Sequence, residues 1–109
     1  MAKKNSIPTN YWQASTLLGA RSVRMIAGKR ATKLIRMANT EIDLYYHDTP
    51  VVTFRIDGTK VLRANGHQSV STKRRMNEAG ARVFQKDFAW FVQTESGVEP
   101  FFDGIKIPA

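Results

Sequence analysis

From residue 40 onward, apolar and polar positions alternate with a period of two. Ile42, Leu44 and Tyr46 alternate with Glu41, Asp43 and Tyr45, the pattern of a strand with one buried face. His47-Asp48-Thr49-Pro50 supplies turn chemistry and a proline that cannot donate to a ladder. Val52, Phe54 and Ile56 then alternate with Thr53 and Arg55, and Asp57-Gly58 follows as a strong hairpin signal. A two-residue loop there sets Phe54 opposite Val61 on the core side. It sets Arg55 opposite Lys60 on the other face, so two like charges oppose each other at a small cost.

Ser71 or Thr72 is a good N-cap and Gly80 a natural stop, which predicts one short helix near residues 72–79 with Met76 and Ala79 turned inward. Strands resume at Arg82–Gln85 and Phe88–Val92, on either side of a turn at Lys86-Asp87. Phe88, Trp90 and Val92 on one side and Ala89 and Phe91 on the other predict a strand covered on both faces. Phe101 and Phe102, with Ile105 and Ile107, predict a final strand or extended clasp. Phe84, Phe88, Trp90, Phe91, Phe101 and Phe102 are all expected in the core.

The first forty residues are less regular. Residues 1–16 read as a loosely ordered N-terminal arm, broken by Pro8 and pinned to the body by Tyr11 and Trp12. Between residues 17 and 38 no clean 3.6-residue stripe runs through the apolar positions. Val23, Met25 and Ala27 alternate with Ser22, Arg24 and Ile26, which suits an edge strand, with Gly28-Lys29-Arg30 as the turn into a second strand through Lys33–Met37. A basic helix over residues 30–38 is the alternative. Residues 17–109 thus read as a single small β-rich domain, since a chain of 109 residues has room for one core. The expected class is α+β, mostly antiparallel β, built as a roll or small open barrel.

Composition narrows the function classes. With 42% hydrophobic and 24% charged residues the chain is expected to fold. The longest apolar run is Phe88–Val92, too short for a membrane-spanning helix. Met1–Ser6 carries lysines with no apolar stretch behind them, so no secretory signal is expected. The absence of cysteine removes disulfides, thiolate zinc sites and thiol nucleophiles, and fits a reducing cytoplasm.

Charge is the unusual feature. The formal net charge is +8, and residues 1–40 hold Lys3, Lys4, Arg21, Arg24, Lys29, Arg30, Lys33 and Arg36 with no acid. The remaining residues balance nine cations against nine carboxylates. Clustered cations raise the local concentration of phosphates and gain from counterion release, so a polyanionic partner is expected. Ser71, Thr72, Lys73, Arg74 and Arg75 form a second candidate: capping hydroxyls and three cations at a helix start would make an anion site.

No phosphate-binding loop, dinucleotide fingerprint, metal-ligand spacing or nucleophile elbow occurs. His47 and His67 with a nearby lysine would be the one acid–base pair for RNA cleavage, but both sit beside turn residues, as exposed loop histidines do. The expectation is therefore no enzyme, no cofactor and no metal. Tyr45 and Trp12 are the aromatics placed to stack on a base.

The run Ile42…Asp57-Gly58-Thr59…Val61-Leu62…Asn65-Gly66…Ser71-Thr72-Lys73-Arg74-Arg75-Met76-Asn77…Val83…Gln85-Lys86…Trp90 resembles a family of small proteins encoded by tailed bacteriophages. The resemblance covers about half the chain. The Ser71–Asn77 stretch is its most specific piece. Asn65-Gly66-His67-Gln68 departs from the Ser-Gly-Gly-Trp-Arg that the family tends to have there. The resemblance implies a phage or prophage origin and a host-cell cytoplasm. With the charge it leads to a non-catalytic accessory protein that binds nucleic acid, DNA or RNA, through its phosphate backbone. The alternatives are a host-takeover or anti-defence inhibitor of a host protein, and a minor virion or assembly component.

Overall fold

The computed structural model describes residues 7–66 and 68–108. The chain runs α1 (Tyr11–Leu18), β1 (Val23–Met25), β2 (Thr32–Ala38), β3 (Glu41–Tyr46), β4 (Thr49–Arg55), β5 (Lys60–Leu62) and α2 (Val70–Glu78). It continues through β6 (Val83–Lys86), β7 (Ala89–Thr94), β8 (Gly97–Pro100) and β9 (Ile105–Ile107). A six-stranded antiparallel sheet has the order β1-β2-β3-β4-β5-β9, and β6-β7-β8 form a separate three-stranded meander. The class is α+β with antiparallel sheets, as the alternation predicts, and both sheets are open. After β5 the chain leaves the large sheet for α2 and the meander, then returns as β9 beside β5.

One face of the large sheet carries Leu34, Ile42, Leu44, Val52, Phe54, Leu62, Ile105 and Ile107, all buried. Tyr11, Ala14 and Leu18 of α1, Met76 of α2 and Val83, Trp90 and Val92 of the meander join them in a single core. Met76 and Ala79 are inward as expected, and Trp90 is 5% exposed against Phe101.

The loose arm expected over residues 1–16 is corrected from Ile7 onward. Ile7 and Pro8 are buried, the Asn10 side chain accepts from Gln13 N–H at the N-cap, and an eight-residue helix follows. Its inward stripe is only Tyr11, Ala14 and Leu18 in an otherwise polar string, too narrow to register as a helical period. Tyr11 donates its hydroxyl to the Asn39 carbonyl at 2.6 Å, whereas Trp12, expected to help pin the arm, is 63% exposed. The described residues therefore form two helices. Residues 32–38 are strand, as the favoured reading has it, so the basic helix is excluded.

The hairpin after β4 is one residue longer than expected. Asp57 accepts from Thr59 N–H (2.9 Å) and Thr59 Oγ1 (2.6 Å), and Arg55 N–H donates to Thr59 O at 3.0 Å. Gly58 takes φ +93° to close this loop. Phe54 consequently faces Lys60, and Val61 faces Thr53. A slip of one residue exchanges the two faces of a strand, so Lys60 turns toward the interior.

The aromatic core is smaller than expected. Phe88 is 96% exposed at the β6–β7 turn, where its φ is +67°. Phe102 is exposed as well, and Phe84 stacks on half-buried Phe91 on the outer side of the meander. A lone three-stranded sheet has one face against the core, so β7 buries Trp90 and Val92 and leaves Ala89 and Gln93 exposed.

Candidate nucleic-acid interface

The end of α1 organises the first group of cations. A helix C-terminus presents unpaired carbonyls and about half a negative charge. Arg24 Nη1 donates to Leu17 O at 2.6 Å and Arg36 Nη2 reaches Gly19 O at 3.4 Å. Arg24 pairs in register with Leu34, two residues from Arg36, so the two arginines share one sheet face. Arg21 lies in the intervening loop, its N–H on Leu18 O. Among the described residues none of these three arginines, nor exposed Arg30 in the β1–β2 turn, has a carboxylate partner. Lys3 and Lys4 lie outside the described residues.

The other predicted cations are placed differently. Lys33 lies on the opposite sheet face, its ammonium 5.6 Å from the centre of the Tyr45 ring. Lys29 is bound to Glu78 (Nζ–Oε2 2.6 Å), and Arg75 Nη1 holds the second oxygen of the same carboxylate at 2.9 Å. Arg75 also donates through Nε to Thr32 Oγ1 at 2.9 Å and stacks over Tyr46. Partial burial pushes the Glu78 carboxyl up, but the hydrogen bonds and charges of Lys29 and Arg75 outweigh it and hold the group below its ordinary value. Lys29 and Arg75 are thus engaged in fastening α2 to the sheet.

The expected anion site at the helix start does not assemble. α2 begins at Val70 with Ser69 as its cap, the Ser69 Oγ accepting from Thr72 N–H at 3.1 Å. Lys73, Arg74 and Arg75 therefore fall in the second turn, past the free N–H groups. Thr72 is buried, Ser71 is half-buried, Lys73 sits over Trp90 at 5.9 Å, and only Arg74 projects freely. Asp48 and His47 share the cavity of about 480 Å³ that opens beside Ser69, Ser71 and Thr72. His67 lies outside the described residues. Thr32, held by Arg75, and Arg36 are four residues apart on β2, about 13 Å at roughly 3.4 Å per residue. The two candidate groups therefore occupy opposite ends of that strand.

A family model described as the Kyanoviridae Gp96 protein matches residues 19–108. The chain belongs to this family of phage proteins. No curated protein and no solved structure matches it. The matched span takes in the nine described strands and α2, with Arg21, Arg24 and Arg36, and leaves out α1, whose end Arg24 and Arg36 cap.

Two features escaped the sequence reading. On the open side of the large sheet Asp43 is buried at a strand position expected to face solvent. Burial raises its carboxyl above the ordinary value, against the Thr53 hydroxyl bond (2.7 Å) and the Arg63 charge, while Glu41 adds to the rise. Arg63 joins this chain by donating to Thr53 Oγ1 at 2.9 Å. The second feature is Lys60, whose inward position follows from the Asp57–Thr59 loop. An Asx side chain followed two residues later by threonine was the available signal.

Proposed function

We propose that this Gp96 chain is a non-catalytic phage accessory protein acting in the host-cell cytoplasm, where it binds nucleic acid through the phosphate backbone. The observation that carries this reading is the arginine corner at the end of α1. Arg24 and Arg36 cap the helix end and Arg21 lies in the loop beside it, none with a carboxylate partner among the described residues, in a segment that holds no acid before residue 41. Guanidinium groups with donors left over after capping a helix suit phosphate oxygens. Exposed Arg30, at the other end of β2, adds a further cation of the same segment, and exposed Trp12 on α1 offers a ring for stacking. Arg74 lies away from this corner and is a secondary contact.

The test is the salt dependence of binding to naked duplex and single-stranded nucleic acid. With about four phosphates engaged, log K against log salt falls with a slope near −3.5 on duplex DNA. Arg21→Gln with Arg30→Gln removes two exposed cations that form no ion pair among the described residues, and flattens the slope by about 2. Absent or salt-independent binding overturns the proposal.

A second reading, an inhibitor of a host protein, draws on Val23, Met25 and Met37, which are about half exposed on the edge strand and its neighbour. Pull-down from host lysate with and without nuclease separates the two. A protein partner that survives nuclease favours the second reading.

A further inference from the structure

Lys60 stands on the interior face of β5, between Phe54 and Ile107 in register, and is 6% exposed. Its ammonium has no ion-pair partner among the described residues. No fully sealed side-chain nitrogen or oxygen there lacks a hydrogen bond, so Nζ must open on solvent-filled space. That space is a cavity of about 210 Å³ lined by Lys60, Gly80, Arg82, Gln93, Glu95 and Pro108 among others. It lies where the turn after α2, the β7–β8 turn and the end of β9 meet. A Cβ on Gly80 would stand 2.9 Å from Nζ, so the glycine makes room for the ammonium.

We propose that this cavity is a small-oxyanion site, receiving a phosphate or carboxylate group on the Lys60 ammonium with Arg82 at the rim. An apolar side chain would serve the core at this position without the cost of burying a charge. Burial pushes the Lys60 ammonium below its ordinary value. The end of α2 nearby offers about half a negative charge, short of a full counter-charge. Among the described residues Glu95 is the one carboxylate on the cavity wall, and it forms no ion pair with Lys60 or Arg82. A volume of about 210 Å³ is enough for one such group with residual water.

The site is separate from the arginine corner, so it stands or falls independently of nucleic-acid binding there. The full chain is titrated at constant ionic strength with sodium phosphate and, separately, with sodium acetate, following backbone amide resonances. Saturating shifts at Gly80, Ala81 and Thr94 are expected with at least one anion, and the anion that saturates identifies the ligand class. Lys60→Met keeps the buried stem and weakens the apparent affinity about tenfold or more, as loss of a charge-assisted hydrogen bond does. Arg82→Gln, at an exposed position, weakens it less. Arg21→Gln leaves it unchanged. Linear, non-saturating shifts with both anions, or equal affinity in Lys60→Met, overturn the proposal.

Discussion

Arg75→Ala is expected to destabilise the protein by about 2–4 kcal/mol, whereas Arg74→Ala, one residue earlier, stays within about 0.5 kcal/mol of the parent. The difference comes from three contacts. The Arg75 side chain is 11% exposed; its Nε donates to Thr32 Oγ1, its Nη1 to Glu78, and its plane covers Tyr46. A hydrogen bond from a charged group contributes about 1.5–3 kcal/mol, a part-exposed ion pair up to about 1, and a guanidinium over a ring about 0.5–1. These overlap, and Thr32 keeps its bond to Arg30 O, so the sum stays below the arithmetic total. At about 4 °C per kcal/mol for a chain of this size, the melting temperature falls by about 8–16 °C. Thermal and urea denaturation of both variants at pH 7 measure it. The Glu78 carboxyl is held below its ordinary 4.5, so its contribution is complete above that value and is lost as pH falls through the lower folded pKa. The gap between parent and Arg75→Ala therefore narrows in acid. Equal stability of the two alanine variants would refute the reasoning. The helix-start reading implied that replacing Arg74 and Arg75 together by Glu leaves stability intact or raises it, whereas the contacts of Arg75 require a loss.

Three further outcomes are expected. Trp90→Ala costs about 3–5 kcal/mol, because the ring is buried against Phe101; a variant that melts with the parent would place Trp90 outside the core. Asp43 has its carboxyl raised above 3.8 by burial, so its ionisation in the fold works against stability, and that cost appears as pH rises from 3.8 through the folded pKa. Asp43→Asn should accordingly gain on the parent across that window in denaturation curves, and a gain that shrinks with rising pH would contradict the shift. Lys60 titrates below 10.5 in the fold, so its cost is full below the folded pKa and is relieved as pH rises toward 10.5. The stability difference between Lys60→Met and the parent should shrink over that alkaline range, and a constant difference would show the ammonium to be well solvated.

What residues 41–107 become was largely legible from their order. Alternation is a property of neighbours two apart, and it places Ile42, Leu44, Val52 and Phe54 on one buried face whatever else the chain does. The Asp57-Gly58 turn, the inward Met76 and Ala79 and the buried Trp90 are local in the same sense. The charge excess before residue 41 is likewise complete in the sequence. Its distribution in space was decided elsewhere. Glu78 takes Lys29 from 49 positions away and Arg75 from three. Those side-chain bonds, with Arg75 reaching Thr32 at the start of β2 while α2 itself packs on β4 and β6, separate cations of identical type into structural ties and free surface. Lys60 went inward because two hydrogen bonds that Thr59 donates to Asp57 hold a turn one residue longer. Strand period is written in consecutive side chains, but register and charge pairing depend on which distant segments meet, and only the folded sheet order determines that.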